Sequence, residues 1–520
     1  MTIPRTLLAV LLFPLALHAQ VLNHSLIALP GALPAQPRAL QLNADTVDVL
    51  AMMVQFQIDT DKRTTGDGRF DTSAFTGTDI PVDAPPRNPS YFRDHLTFLT
   101  NYFAKASKGR TVIRPTLIGQ TVTLSNVMSV YSPAKNASNK PVADLARDAW
   151  KKADSLGLLG NVSSYRAFIV FHAGVGRDID LISSLGYDPA PADIPSLYLD
   201  AAAFQSFHGT PGVPVGNGAF TIPNSIVMPE TESRSIPGIG GDVFLEYGIN
   251  GLLCASFGNF LGLPDLFDTK TGVTAIGRFG LMDGQGIFSF SGVFPPEPSA
   301  WEKFWLGWLE PIPVPAGTSV LQLPAVGVAD TVYRVPIGPQ EYYLVENRNR
   351  DPQRNGQRIT SNYQGTPGVF AFARDTSGFN AFDITALSGN IIDVEDFDWS
   401  LPGGVDSDGT FYDGGILVWH IDEAVIAQNR STNTINADPN RRGVDVEEAD
   451  GSQDIGQEFG FLSAGSGSET GTALDFWFRG NASPVNKNEF TATSFPSTES
   501  NDGAMSHVSM TDFSARGTRM

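Results

Sequence analysis

The run Gly251-Leu-Leu-Cys-Ala-Ser-Phe-Gly-Asn-Phe-Leu-Gly-Leu-Pro-Asp265 is the best-patterned stretch of this sequence, and the reading of the whole fold hangs on it. Its apolar residues predict a helix from Asp242 to Phe260. Gly262-Leu263-Pro264-Asp265 must end that helix, because proline cannot continue the hydrogen-bond ladder. Ala255 and Asn259, four residues apart, fall on one helical face with Ser256 beside them, and Asp265 follows the turn.

Upstream of this helix, Val47 to Phe56 reads as a buried strand, and Tyr91 to Ser107 and Val142 to Leu156 carry apolar residues at helical spacing. Ala167 to Phe171 is a short strand-type run. Strand, helix, helix and strand in this order predict an α+β fold, a mixed sheet carrying helices. From about Pro311 the character changes to short β-type runs, Ser319 to Leu323, Thr331 to Val335, Tyr342 to Glu346 and Gly415 to His420, separated by Gly, Asp, Asn and Pro clusters. The expected organisation is a leader at 1–19, an extension at 20–46, a first domain at 47–315 and a β-rich region at 316–520. No internal repeat is visible, and the one low-complexity patch is the Gly/Ser tract near Ser463 to Ser468.

Composition narrows the function classes. The 520 residues are 42% hydrophobic and 17% charged, with a net charge of −20 spread along the chain. That balance argues against a nucleic-acid binder that works by neutralising phosphates. Arg5, the apolar run Leu7 to Leu17 and Ala19 before Gln20 read as an export signal, too short to span a bilayer. No later run is long enough either, so no membrane span is expected, and the mature chain is expected to be secreted, periplasmic or at the cell surface. Cys254 is the single cysteine, so the exported chain must fold without an intramolecular disulfide.

The segment 251–265 closely resembles the zinc helix of the immune inhibitor A family of secreted metallopeptidases, whose pattern here is HEFGHxLGLPD. Ile276-Gly-Arg-Phe-Gly-Leu-Met282-Asp283 is similar to the family's Met-containing turn, and Pro298 to Trp308 to its following helix. Phe171-His172-Ala-Gly174, Tyr342 to Arg348, Gly415 to Asp422 and Arg442 to Gly451 extend the resemblance in the family's order. It implies a zincin-like metallopeptidase domain followed by the family's β-rich region. In that family the chain would normally continue a strand where this sequence, soon after Phe513-Ser514, reaches Met520.

The family's chemistry is missing from this helix. Two imidazoles four residues apart bind zinc, and the intervening glutamate takes a proton from the metal-bound water. Here the two histidine positions are Ala255 and Asn259, the glutamate position is Ser256, and only Asp265 remains, at the third-ligand spacing. No catalytic residue and no zinc are therefore expected. The histidines, His18, His24, His95, His172, His208, His420 and His507, form no local pair. Cys254 and Ser256 invite a nucleophile reading, but a lone cysteine in an apolar run reads better as a core residue, and no partner base is nearby. Calcium is a possible ligand of three acidic loops: Asp59, Asp61, Asp67 and Asp71; Asp406, Asp408 and Asp413; and Asp445 to Asp454. None has EF-hand spacing. The expected function is a non-catalytic binding or scaffolding protein that takes a protein or peptide ligand. The alternatives are a secreted metallopeptidase with a non-standard metal site and a purely structural cell-surface protein.

Overall fold

A computed structural model of the chain describes residues 36–77, 80–134, 137–179, 181–236, 241–373, 386–405, 411–412, 414–457, 459 and 467–520. The expected leader 1–19 and the loop residues Asp406, Asp408 and Asp413 lie outside them.

Strand β1 (Asp45–Gln55) is buried along most of its length because strands flank it on both sides. It pairs in parallel with β2 (Thr111–Leu117), β3 (Val122–Thr123) and β4 (Ala167–Val175). Between them run α1 (Pro89–Ala106) and α2 (Lys140–Ser155). Asn88 caps α1 by accepting from the Ser90 and Tyr91 amides, with Pro89 pre-set for the first turn. Short β5 (Leu197–Leu199) and β6 (Ser225–Thr231) complete a sheet of order β2-β1-β4-β6-β5, in which only the edge strand β5 is antiparallel.

The predicted helix at 242–260 is shorter than expected. Val243–Leu245 forms strand β8, paired antiparallel with β7 (Arg234–Ile236), so its backbone groups are committed to a hairpin. The helix α3 (Asn250–Leu261) begins only after the Gly248 amide has bonded to the Ser291 carbonyl. It ends at Gly262, whose φ of 98° is a left-handed cap suited to glycine. Two short helices follow, α4 (Gly284–Ile287) and α5 (Ala300–Trp305).

The remainder is β-rich. Strands β9 (Ile312–Pro313), β10 (Tyr333–Pro336), β11 (Glu341–Asn349), β15 (Gly414–Asp422) and β16 (Val444–Val446) form one sheet in that order. Strands β12 (Gln357–Tyr363), β13 (Thr366–Phe372) and β14 (Asn390–Val394) form another, with β12 central. The strand expected at Ser319 to Leu323 joins neither sheet. Leu323 alone is buried and exchanges two backbone bonds with Met520, whereas Val320 is 92% exposed, so most of that run lies uncovered.

The two sequence regions share one apolar core, which runs from Val47 to Phe478. Strand β14 lies against α1: Asn101 donates to the Ile392 carbonyl, and Asp94 accepts from Asn362 and Asn390. The molecule is thus mixed α and β, and among the described residues no helix is long and apolar enough to cross a membrane.

Candidate functional site

Helix α3 is buried on nearly every side. Gly251 has no room for a side chain, since a Cβ there would lie 1.8 Å from the Ile287 carbonyl oxygen of α4. At Gly258 a Cβ would lie 2.8 Å from Met282 Sδ, so the turn that carries Met282 packs directly against the helix. That turn is held by Glu302 of α5, whose carboxylate accepts from the Leu281 and Met282 amides. Glu302 also completes a capping box with Ser299. Asp283 stabilises the same loop by accepting from the Ala275, Ile276 and Gln285 amides and the Thr274 hydroxyl.

Ala255, Ser256, Asn259 and Asp265 converge as their spacing predicts, and all four are buried. They line a small cavity of about 30 Å³, closed on the other side by Asp178, Ser196 and Tyr198. The Asn259 amide donates to the Leu263 carbonyl and to Asp265 Oδ1, both at 3.1 Å. Asn433, far away in sequence, completes the clamp: its Nδ2 donates to Asp265 Oδ2 at 2.6 Å and its Oδ1 accepts from the Asp265 amide. Phe260 packs against Phe257 and Tyr198 beside this cavity.

These donors do not suit zinc. Ala255 has no ligand atom, and the amide nitrogens of Asn259 and Asn433 already use the carboxylate that remains. Of the described histidines, His95 contacts Asn250 and Asp83, His172 the Ala173 carbonyl, His208 Asp144, and His420 Glu447. Burial lowers His172 to about 4, so it is neutral near pH 7. Cys254 is fully buried, which pushes its thiol well above the usual range and leaves it unreactive.

The far wall of the cavity was not visible in the sequence. Asp178 accepts from the Ser196 amide and hydroxyl, and burial raises its pKa. Glu232 is raised by burial and by the Asp178 charge, and its Oε1 is buried. Its other oxygen pairs with Arg234 at 3.0 Å. Nearby Asp193, held by the Thr65 amide and hydroxyl, is raised by burial to about 7. No local motif brings residues 178, 193, 196 and 232 together; the sheet does. The Ser299-x-x-Glu302 capping box, by contrast, is a signal the sequence did carry.

Asp193 gives a pH signature. An unfolded aspartate releases its proton near pH 4, whereas the folded chain keeps this one to about 7. The folded state therefore binds more protons across that window, and stability falls as pH rises through it. Asp193→Asn is expected to remove about 1.4 kcal/mol per pH unit of that downward slope. Urea unfolding at pH 5 and 6.5 measures it, and identical slopes in parent and variant would contradict the assignment.

The loop carrying Asp59, Asp61, Asp67 and Asp71 does not gather its carboxylates. Asp59 accepts from the Asp61 amide, Asp61 pairs with Arg63, Asp67 accepts from the Arg69 amide and Asp71 from the Ser73 amide. Hydrogen bonds from Arg63 hold Asp61 down at about 2. No protein-family model matches this chain, and a comparison with curated proteins finds no match.

Proposed function

We propose that this chain is an exported, zincin-like relative of the immune inhibitor A-type metallopeptidases whose zinc centre has been dismantled, and that it works by binding a protein or peptide. The observation that carries this reading is the Asn259 amide, which occupies the space between the helix and Asp265 that a metal would bridge. The packing of Met282 against Gly258, the mixed sheet with one antiparallel edge strand, and the helix ended by Gly262 and Pro264 support the kinship. A cavity of about 30 Å³ has room for about one water and none for a scissile peptide. A non-standard metallopeptidase would need a second set of donors, and among the described residues no histidine joins a group of three ligand-bearing side chains.

The purified mature protein is expected to retain no stoichiometric zinc after dialysis and to leave casein and unfolded peptides uncut. Elemental analysis and a protease assay test this together. Near one zinc per chain with chelator-sensitive cleavage would overturn the reading.

A further inference from the structure

The C-terminal region holds a cluster of carboxylates that the degenerate cleft does not involve. Glu448, Asp450 and Asp475 each offer an oxygen, and the three oxygens lie within 4.8 Å of one another. Glu448 and Asp475 are buried and Asp450 is half-buried. Backbone donors orient the two buried groups: the Asp454 and Ile455 amides bond to Glu448, and the Thr472 amide bonds to Asp475. Such donors fix geometry without supplying a positive charge.

A fourth carboxylate points to what is missing. Asp454 is 8% exposed, and its Oδ2 accepts from Ser468, yet its buried Oδ1 has no hydrogen-bond partner. Its own amide donates to Glu448 Oε2 at 2.8 Å, which places Asp454 beside the cluster. Arg442 is a cation near Glu448, but its guanidinium is committed to Asp445 at 2.8 Å and to the Ile455 carbonyl at 2.8 Å.

We propose that Glu448, Asp450 and Asp475, with Asp454 beside them, bind a calcium ion. Oxygens that all touch one calcium at about 2.3–2.6 Å can be no more than about 5 Å apart, and this trio satisfies that limit. The donors are all oxygen, which selects a hard cation over zinc or copper. Irregular loop geometry favours calcium over magnesium, which demands a near-ideal octahedron and gives up its waters reluctantly.

The ion would tie the loop after β16 to the segment that flanks β15. The Ala449 amide bonds to the Asp475 carbonyl, and Trp477 exchanges two backbone bonds with Ile416 of β15. Calcium is therefore a fastener for the C-terminal sheet. This inference is independent of the zinc-site reading, and either can fail without the other.

The test is calcium titration by calorimetry of the EDTA-treated, dialysed full chain, with melting curves in calcium and in magnesium. One calcium per chain is expected, with a melting temperature several degrees higher in millimolar calcium than in equal magnesium. Asp450→Asn, at the half-buried position, should weaken binding about tenfold or more while the calcium-free protein melts no lower than the parent. Asp475→Asn should do the same, and if it fails to fold, Asp450→Asn still decides. No saturable heat in the parent, or wild-type affinity in Asp450→Asn, would overturn the proposal, the second by placing the ion elsewhere.

Discussion

Arg348→Leu is expected to destabilise the chain by about 3–5 kcal/mol, the range found when one partner of a buried ion pair is removed. Arg348 is fully buried in β11. Its guanidinium pairs with Asp398 through two nitrogens and with Glu346 Oε1 at 3.2 Å, and donates to the carbonyls of Phe279 and Glu297. Leucine would leave Asp398 and Glu346 buried without that cation. Glu346 keeps bonds from the Trp419 indole and the Ala300 amide, which orient its charge but do not balance it. Because the Phe279 carbonyl belongs to the loop leading into Met282, the loss should also loosen the packing beneath α3. Urea unfolding followed by tryptophan fluorescence measures the effect. A shift no larger than that of Asp61→Ala, which breaks a pair with the exposed Arg63 side chain and a hydrogen bond from the Arg63 amide, would show that Arg348 is not the keystone its contacts suggest.

The elements that were legible in the sequence are those whose determinants are local. Asn88-Pro89 and the apolar spacing that follows are enough to define α1, and unbroken apolar runs define β1 and β4. The start of α3 was misread because Val243–Leu245 is compatible with helix by pattern, and only its distant partner Arg234–Ile236 makes it a strand. Ser319 to Leu323 failed for the converse reason: its β-type residues meet no neighbouring strand. At the cleft, the four motif positions converge because one helix and its turn carry them all. Asp178, Ser196, Glu232 and Asn433 had no such signal, since Asn433 reaches Asp265 across 168 residues of sequence. Charge patterning alone did not separate the acidic loop at 59–71, which folds back on itself, from the one at 445–454, which meets Asp475.

The triple substitution Ala255→His, Ser256→Glu and Asn259→His is expected to give the protein a zinc site, with little or no proteolysis. Positions 255 and 259 share the face of α3 that lines the cavity, so both new imidazoles can reach one ion. Removing the Asn259 amide frees Asp265 Oδ1 to serve as the third ligand, while Asn433 continues to hold Oδ2 and the Asp265 amide. Space sets the penalty. About 30 Å³ does not admit two imidazoles unchanged, so the metal-free variant should be overpacked by about 1–3 kcal/mol and melt below the parent. Zinc, binding only the folded form, should recover part of that loss. The imidazoles would also lack partners built to orient them, a deficiency that typically weakens binding by about 10–100-fold. Proteolysis needs more: an open coordination position for water and room for a peptide, where Tyr198, backed by Phe260, lines a cavity of only about 30 Å³. Calorimetry with zinc should therefore show saturable binding in the triple variant and none in the parent, and Asp265→Ala added to the three should weaken it. Equal zinc affinity in parent and variant, or no effect of Asp265→Ala, would mean that this helix does not align with a zinc helix at all.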